Sequence, residues 1–457
     1  MAYDLIIRNG LVVSPGLHAR VDVAIKEGKV AALGSNLGSA AEIIDAEGLI
    51  VLPGLVDGHV HLREPGMTAK EDFASGTRSA AAGGVTTVID MPNTLPPVAS
   101  IEAFKRKLDL VQASAYVDFG LFGMLTEESI GDVAGMGEVG ACGLKLFMGE
   151  TTGNNACPPD GAIFVGLREA AKAGLVVGAH AENDSVLQML RRELREAGRT
   201  DPIAHLESRP EFVEVEAIQR FLTLAGAAKA KVHIHHLSTA RGLDVVAMAK
   251  AQGVKVTVEV LVAHLLLDAS DYDRYGNLIK LNPPIRPAAD REALRLAAGR
   301  GLLDSIATDH APHTTAEKTS DDVWEAASGF IGVETMLPLL LNEVHTGLFS
   351  IDTLVQLCCA GPAGIWNLQG KGTLAPGADA DVVLIDPLRR WTIDASKLHS
   401  KHQITPFDGW QVTGGVVTTL LGGVPVYQDG ELLGIPRGQN VRPSSARGQQ
   451  AGTRRHE

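Results

Sequence analysis

Short runs of apolar residues separated by turn residues occupy the first 55 positions of the chain. The runs at 5–7, 11–13, 21–25 and 30–33 are rich in Val, Ile and Leu, and Asn9-Gly10 and Glu27-Gly28 stand between them. Because such dipeptides make tight turns between antiparallel strands, the pattern predicts β-hairpins. The same pattern returns in the runs at 382–385 and 416–421. We therefore predict that segments 1–55 and 371–435 pair into one small, discontinuous β-sandwich domain.

The segment from 56 to 370 has a different pattern, in which short apolar strands alternate with helical stretches such as 76–82, 210–224 and 241–251. Eight βα units over about 300 residues are typical of a (β/α)8 TIM barrel, an α/β fold whose functional side chains lie at the C-terminal ends of its strands. The predicted strands are the run that ends near position 60 and the runs at 85–90, 117–121, 143–147, 175–180, 231–236, 254–259 and 305–309.

The amino-acid composition limits the classes of partner that the protein can be expected to bind. The net charge of −13 argues against nucleic acid and an anionic membrane as main partners, because both need a basic face. A small anionic substrate remains compatible, since local cations or metals can invert the field inside one cleft. The four cysteines form no CxxC pair and the first residues lack a signal-peptide pattern, so we expect a cytoplasmic protein with reduced thiols. The last segment, 436–457, has few apolar residues, and we predict a flexible tail there.

Polar side chains stand at the ends of most of the predicted barrel strands. Two histidines spaced two apart share one face of a strand, because side chains alternate with a period of two. Any one of these residues could have a structural role, but together they are expected to meet at the mouth of one barrel. They are His59 and His61 on the first strand, Asn93 after the second, Lys145 in the fourth, His180 on the fifth, His236 on the sixth, and Asp309 with His310 on the eighth.

Imidazole and carboxylate are ligands that suit zinc, and a partly open site lowers the pKa of a bound water to about 7. An ammonium beside dications would be repelled, so Lys145 either pairs with an acid elsewhere or is converted by CO₂ into an anionic carbamate that bridges two metals. Two metals about 3.5–4 Å apart would share a hydroxide poised to attack a carbonyl. Asp309 could then accept a proton and pass it to a leaving nitrogen.

Four motifs make the chain similar to a known superfamily. DGHVHLREPG at 57–66, MPNT at 91–94 and TDHAPH at 308–313 resemble the dihydroorotase signature, and GLKLF at 143–147 resembles the segment that carries a carboxylated lysine. On these motifs the chain resembles the amidohydrolase superfamily, in its branch of dihydroorotases, allantoinases and hydantoinases. The similarity extends from residue 1 to about residue 435.

The resemblance implies a set of site residues. It implies that His59, His61 and Asp309 bind one zinc ion, that His180 and His236 bind a second, and that carboxylated Lys145 and a hydroxide bridge the two. It also implies substrate contacts from Arg63, Asn93, His313 and Asn282. By the period of two, we expect His233 and His235 to point away from His236. The implied partner is a small, anionic cyclic amide, and the implied assembly is a homodimer or homotetramer.

Three functions stay open at this point. The first is dihydroorotase, which interconverts dihydroorotate and N-carbamoyl-L-aspartate in pyrimidine biosynthesis. The second is an allantoinase or hydantoinase (dihydropyrimidinase) type of cyclic amidase, because Arg199-Thr200, SRPEF at 208–212 and EVEAIQR at 214–220 are more similar to these enzymes. LVAH at 261–264 also replaces the Pro-His-His segment that is usual in dihydroorotases. The third is a non-catalytic, dihydroorotase-like scaffold, which would be expected to have lost metal ligands.

Overall fold

The computed structural model describes residues 2–153 and 157–443, and seven strands precede its barrel. Four of them form a sheet in the order β5-β4-β1-β6, and the other three join strands from the C-terminal segment. The strands are β1 (Tyr3–Arg8), β2 (Leu11–Ser14), β3 (Leu17–Arg20), β4 (Asp22–Lys26), β5 (Lys29–Gly34), β6 (Ala40–Asp45) and β7 (Ile50–Pro53).

One of the two predicted hairpin turns is correct and the other is wrong. Glu27 and Gly28 have φ of 51° and 72° and join the antiparallel strands β4 and β5. Asn9-Gly10 instead carries the chain from one sheet to the other, since β1 pairs with β4 and β6 while β2 pairs with β3 and β7. The reason is packing at Gly10, where an added Cβ would lie 2.5 Å from Cγ2 of Val51 on β7. This close approach places β2 beside β7.

Eight parallel strands form the predicted TIM barrel. A backbone hydrogen bond of 2.8 Å from His61 N to His310 O joins the first strand to the segment after the last, which closes the barrel. The strands are β8 (Leu55–Val60), β9 (Val85–Asp90), β10 (Asp118–Met124), β11 (Gly143–Phe147), β12 (Val176–His180), β13 (Lys231–Ile234), β14 (Lys255–Leu261) and β15 (Ser305–Ala307).

Helices surround the barrel. Their apolar faces share one buried core with alternate strand residues such as Leu144 and Ile234. Among the described residues, no helix has the length and apolar character needed to cross a membrane. The helices are α1 (Phe73–Ala82), α2 (Ile101–Val111), α3 (Val133–Val139), α4 (Asp160–Ala173), α5 (Asp184–Glu196), α6 (Pro202–Ser208), α7 (Glu211–Ala228), α8 (Ala240–Ala251), α9 (Val262–Leu266), α10 (Tyr272–Tyr275), α11 (Ala288–Gly299), α12 (Thr315–Lys318), α13 (Met336–Thr346), α14 (Ile351–Val355) and α15 (Gly361–Ile365), with single turns at Glu128–Asp132, Ala269–Asp271, Gly276–Ile279, Gln356–Ala360 and Ala395–Lys397.

Trp366 fills the barrel interior near the N-terminal ends of the strands. It follows α15, is fully buried, and packs edge-on against Phe122 with ring centroids 4.7 Å apart. Gly58 and Gly143 make room for the indole, because an added Cβ would lie 2.8 Å and 2.9 Å from its atoms. Since the ring occupies this end, polar side chains in the interior are directed toward the C-terminal ends of the strands.

Four strands follow the barrel: β16 (Val382–Thr392), β17 (Gln411–Leu421), β18 (Val424–Gln428) and β19 (Glu431–Leu432). They complete a seven-stranded sheet in the order β19-β18-β17-β16-β7-β2-β3, so strands from both ends of the chain pair directly. Residues of this sheet, such as Leu384 and Leu420, share one core with Ile7 and Ile25 of the four-stranded sheet. The two sheets therefore form the sandwich expected from the terminal patterns.

Part of the predicted flexible tail is attached to the barrel. Gly438 N donates to Ala115 O at 2.8 Å, and Val441 N donates to Phe119 O at 2.8 Å. The segment thus runs alongside the start of β10, where β11 is not yet paired, because the register with β11 begins at Phe122. The remainder of the predicted tail, 444–457, lies outside the described residues.

Candidate metal centre

The barrel brings the six predicted ligands together at its C-terminal mouth. They come from five strands: His59 lies in β8 with His61 just after it, Lys145 lies in β11, His180 ends β12, His236 follows β13, and Asp309 follows β15. All six side chains are buried, with at most 9% of each residue exposed. Because the six ligands come from five different βα units, their positions depend on the closed barrel.

Two imidazoles converge on one carboxylate oxygen. His61 Nε2 lies 3.0 Å and His59 Nε2 3.4 Å from Asp309 Oδ1. This oxygen is buried and has no hydrogen-bond partner among the described residues. Ligand atoms of His59, His236 and Asp309 lie within 4.8 Å of one another. These nitrogens and this oxygen lie close to one point and are arranged like ligands around a cation.

A second pair of imidazoles lies beside the first. His180 Nδ1 is 3.1 Å from His236 Nε2, and the ring of His236 is 5.2 Å from the ring of His59. Lys145 Nζ and His236 Nδ1 are buried without a hydrogen-bond partner among the described residues. Unpaired buried polar atoms are costly, so their presence here indicates that a group outside the chain satisfies them.

Outer partners fix which ring nitrogen is free in His59, His61 and His180. Glu259 Oε1 lies 2.6 Å from His59 Nδ1, Asn93 Oδ1 lies 2.9 Å from His61 Nδ1, and Glu182 Oε2 lies 2.8 Å from His180 Nε2. Each of these oxygens is an acceptor, so the facing nitrogen carries the proton and the opposite nitrogen keeps its lone pair. Such partners are the usual second contacts of metal-bound histidines. The donor set therefore fits a metal site.

The electrostatics keep these groups in the protonation states that metal binding requires. Burial lowers the pKa of His61 to about 3 and also lowers the pKa values of His180 and His236, so the imidazoles are neutral at pH 7. Burial by itself raises the pKa of Asp309, but the neighbouring His59 and His61 hold it well below its usual range. Asp309 is therefore ionised at neutral pH.

Lys145 has the properties of an amine that can react with CO₂. Burial lowers its pKa to about 7, so a large fraction is uncharged at neutral pH. Its Nζ lies 5.2 Å from the centroid of the Phe147 ring and has no carboxylate at hydrogen-bond distance among the described residues. The alternative prediction, an ordinary lysine paired to an acid, does not match these surroundings.

The expectation that His235 points away from His236 is wrong. β13 ends at Ile234, and His236 has a positive φ of 38°, so the period of two no longer applies. His235 lies inside the barrel, with its ring 4.6 Å from the ring of His59, and His236 turns back toward His180. His233 also faces the interior, 3.0 Å from Glu259 Oε2.

Glu259 and Glu182 were missed as parts of the centre. Glu259 is a buried carboxylate in the apolar strand β14, and Glu182 follows the strand that carries His180. A charged residue within an otherwise apolar barrel strand is the signal that could have identified Glu259, since such a group is buried only with partners. Asn93 lines the site as predicted, but its amide oxygen faces His61 and its Nδ2 donates to Thr152 O at 2.9 Å.

The predicted substrate residues lie around two adjoining cavities. Arg63 is buried, donates from Nε to Pro312 O at 3.1 Å, and lies with Nη2 3.2 Å from His313 Nε2. His313 stands behind Arg63 and faces Ser328 O at 3.0 Å. The small cavity over Asp309 is lined by His61, Arg63, Asn93, Thr151, Thr152, Leu281, Asn282, Ala311, Ser328 and Gly329.

A larger cavity of about 170 Å³ continues from the first and shares Thr151, Thr152, Asn282 and Ser328 with it. Its lining is almost entirely polar and combines hydrogen-bond donors with acceptors. Asn282 Oδ1 is buried without a hydrogen-bond partner among the described residues. The other lining residues are Glu150, Arg191, His205, Ser208, Arg209, Lys280 and Trp324.

Comparison with known proteins agrees with this geometry. The family model described as "Amidohydrolase family" matches residues 50–426. An allantoinase from Rubrobacter xylanophilus is 39% identical over 452 residues, which cover 98% of this chain and 99% of the relative. An L-hydantoinase from Paenarthrobacter aurescens is 35% identical over 439 residues, which cover 94% and 96%.

Solved structures give the same result. The L-hydantoinase (dihydropyrimidinase) from Arthrobacter aurescens superposes with a TM-score of 0.94 at 35% identity, over 96% of this chain and 100% of that one. The relatives named above are allantoinases and hydantoinases rather than dihydroorotases, so they favour the second of the three functions left open by the sequence. The chain therefore belongs to the amidohydrolase family, as a metal-dependent cyclic amide hydrolase related to allantoinases and hydantoinases.

Proposed function

We propose that this protein hydrolyses the ring amide of a hydantoin-type substrate, with allantoin as the preferred ring. The observation that carries the proposal is the convergence of His59 Nε2 and His61 Nε2 on Asp309 Oδ1 at the floor of a cavity. Such a centre serves hydrolysis of an amide that enters the cavity. The choice of ring is supported by the names of the relatives and by the polar cavity beside the centre.

In the proposed centre, His59, His61 and Asp309 hold one zinc ion, His180 and His236 hold a second, and carboxylated Lys145 bridges them. Zinc at these ligands supplies a Lewis acid that polarises the ring carbonyl and lowers the pKa of water toward neutrality. Imidazole and carboxylate ligands suit zinc, and the neutral imidazoles need no proton release to bind it.

Asp309 is the group that moves the proton. Because its pKa lies well below its usual range, it is ionised at neutral pH and can accept a proton from the attacking water. The hydroxyl adds to the carbonyl carbon, the ring C–N bond breaks, and the proton passes from Asp309 to the leaving nitrogen. Asp309 has a positive φ of 48° and lines the small cavity together with His61.

The larger cavity supports allantoin over hydantoins with apolar substituents. Allantoin is a hydantoin that carries a ureido group, which has several N–H donors and one carbonyl acceptor. Asn282 Oδ1 and Glu150 can accept from the ureido N–H groups, and Arg191 can donate to its carbonyl oxygen. An alkyl or aryl substituent would leave the buried Asn282 Oδ1 without a hydrogen bond, which costs about 1–3 kcal/mol.

Dihydroorotate remains the second candidate because of Arg63. Its guanidinium is buried beside the centre, and among the described residues no carboxylate lies within ion-pair distance of it. Burial lowers its pKa only to about 10, so it remains a cation. A substrate carboxylate would neutralise this charge.

A side-by-side hydrolysis assay of the zinc-loaded protein tests the proposal. The substrates are allantoin, 5-isopropylhydantoin and dihydroorotate at equal concentrations. We expect kcat/KM for allantoin to exceed that for dihydroorotate by at least tenfold. A preference for dihydroorotate would assign the second candidate, and hydrolysis of none of the three by protein that contains zinc would favour the non-catalytic scaffold.

A further inference from the structure

One buried carboxylate lies behind both halves of the candidate metal centre. Glu259 on β14 is 1% exposed and occupies the barrel interior below the proposed ligands. Its Oε1 lies 2.6 Å from His59 Nδ1, 3.0 Å from His235 Nδ1 and 3.2 Å from His236 N, and its Oε2 lies 3.0 Å from His233 Nε2. Three ring nitrogens and one backbone nitrogen, from four different histidines, therefore meet one side chain.

The direction of these hydrogen bonds follows from the acceptor. An ionised carboxylate can only accept, so each facing imidazole nitrogen carries its proton. For His59 this leaves Nε2 as the nitrogen with a free lone pair, and Nε2 is the atom that lies 3.4 Å from Asp309 Oδ1. Glu259 thereby sets both the tautomer and the ring orientation of His59.

Glu259 contacts the second proposed metal position through the backbone of His236. His236 has a φ of 38°, a conformation that non-glycine residues rarely adopt, and its N–H points at Glu259 Oε1. The next residue is held by the same strand, because Leu237 N donates to Glu259 O at 2.9 Å. This backbone turn is what brings the His236 ring beside His180, so Glu259 also fixes a ligand of the second position.

The carboxylate is itself fixed in place. His235 packs parallel to Trp366, with ring centroids 5.8 Å apart and an angle of 15° between the planes. Gly178 makes room for the imidazole, because a Cβ there would lie 2.1 Å from His235 Nε2. On the other side, His233 Nδ1 lies 2.8 Å from Thr257 Oγ1. Glu259 thus has little freedom to take another position.

We propose that Glu259 is a positioning residue shared by both metal positions, which orients His59 through its side chain and His236 through its backbone. The inference rests on the metal centre in the proposed function. Partners of this kind affect metal affinity by about 10- to 100-fold. Glu182 differs because it contacts only His180 among the proposed ligands.

Zinc affinity of Glu259→Gln tests the inference without any measurement of turnover. Glutamine has the same shape as glutamate. Its NH₂ group, however, must face at least one of the N–H groups that donate to the carboxylate in the wild-type protein. Metal-free protein is titrated with zinc against a competing chelator in bicarbonate buffer, and both binding steps are fitted. Glu182→Gln serves as the one-position comparison. Glu214→Gln is the matched control, because Glu214 is equally buried and bonds Ser238 rather than a ligand.

We expect Glu259→Gln to weaken both zinc-binding steps by about 10-fold or more, Glu182→Gln to weaken one, and Glu214→Gln to weaken neither. Wild-type affinity in Glu259→Gln, or weakening of one step alone, would overturn the shared role. If the wild-type protein itself bound no zinc, the proposed function would fail together with the inference. Zinc binding by the wild type with an unaffected Glu259→Gln would remove the inference alone.

A second measurement determines the tautomers in the wild-type protein. In metal-free wild-type protein labelled with ¹⁵N-histidine, NMR reports which ring nitrogen of each neutral imidazole carries the proton. We expect His59 and His235 to be protonated at Nδ1, with each signal assigned from its loss in the matching His→Gln variant. Protonation of His59 at Nε2 would overturn the inference, because Glu259 would then not set its tautomer.

Discussion

At the scale of single residues, strand position predicted that the candidate ligands meet at the barrel mouth, whereas their hydrogen-bond partners were not predicted. His59, His61, His180 and Asp309 were found because parallel barrel strands end at one mouth. The orientation of His236 could not be read from a period of two, because β13 ends two residues earlier and the backbone turns through a positive φ. The contact of Asn93 with His61 depends on loop geometry that sequence patterns do not carry.

Substitution of Lys145 by methionine tests the proposed bridge. Methionine fills the same buried space but cannot form a carbamate, so the two metal positions lose their shared anion. We expect less than one zinc per chain after reconstitution in bicarbonate and at least a 100-fold loss in kcat for allantoin, a fall of about 2.7 kcal/mol in transition-state stabilisation. Metal analysis and initial rates are the measurements. Two zinc ions per chain in this variant would contradict a bridging role.

Arg63 distinguishes the two candidate rings. Removal of the guanidinium in Arg63→Met leaves a carboxylate substrate without its counter-charge, whereas a neutral ureide loses at most hydrogen bonds. We predict that any kcat/KM for dihydroorotate falls by at least 100-fold and that the value for allantoin falls less than 10-fold. Arg63→Lys is the control that keeps the charge. An equal loss on both substrates would mean that Arg63 acts through the fold, by way of Pro312 and His313.

At the scale of elements, the accuracy of prediction depended on how local the determining contacts are. The strands at 85–90 and 143–147 have the predicted bounds because apolar runs between turn residues define them. Asn9-Gly10 was misread as a hairpin because its outcome depends on β7, some forty residues further along the chain. The attachment of 438–441 to β10 likewise depends on a gap in strand pairing that composition does not reveal.

Trp366 shows how one side chain after α15 supports the barrel. Its replacement by alanine opens a large cavity beneath His235, which costs about 3–5 kcal/mol for a buried aromatic residue. We expect the unfolding temperature of Trp366→Ala, measured by circular dichroism, to fall by several degrees. Leu388→Ala, at a position that is 76% exposed, should change the unfolding temperature by no more than about one degree. An unchanged transition in Trp366→Ala would show that the interior does not depend on the indole.

At the scale of the whole molecule, alternation of strands and helices was enough to predict a barrel flanked by a sandwich built from both ends. The sequence left the ring substrate open because that choice depends on a cavity lining assembled from separate segments, including those that carry Arg191, Lys280 and Trp324. Assembly as a homodimer or homotetramer and a cytoplasmic location stay predictions.

A buried ion cluster joins the barrel to the C-terminal segment. Lys371 Nζ lies 2.6 Å from Asp381 Oδ2 and 3.0 Å from Asp379 Oδ2, and it also pairs with Asp118 on β10. Lys371→Met would leave three buried carboxylates without their central cation, which costs about 3–5 kcal/mol. We predict a clearly lower unfolding temperature than for Lys29→Met, whose half-exposed side chain pairs with Asp379 from the edge. Equal stability of the two variants would contradict a structural role for the cluster.

The central claim is that a two-zinc centre in this barrel hydrolyses a hydantoin-type ring. The most direct measurement is the rate of allantoin hydrolysis by metal-free protein as zinc is added in bicarbonate buffer, with bound zinc counted at each point. We predict no activity before zinc is added and a maximum at two zinc ions per chain. Maximal activity at one zinc ion per chain, or no allantoin hydrolysis at any zinc content, would contradict it.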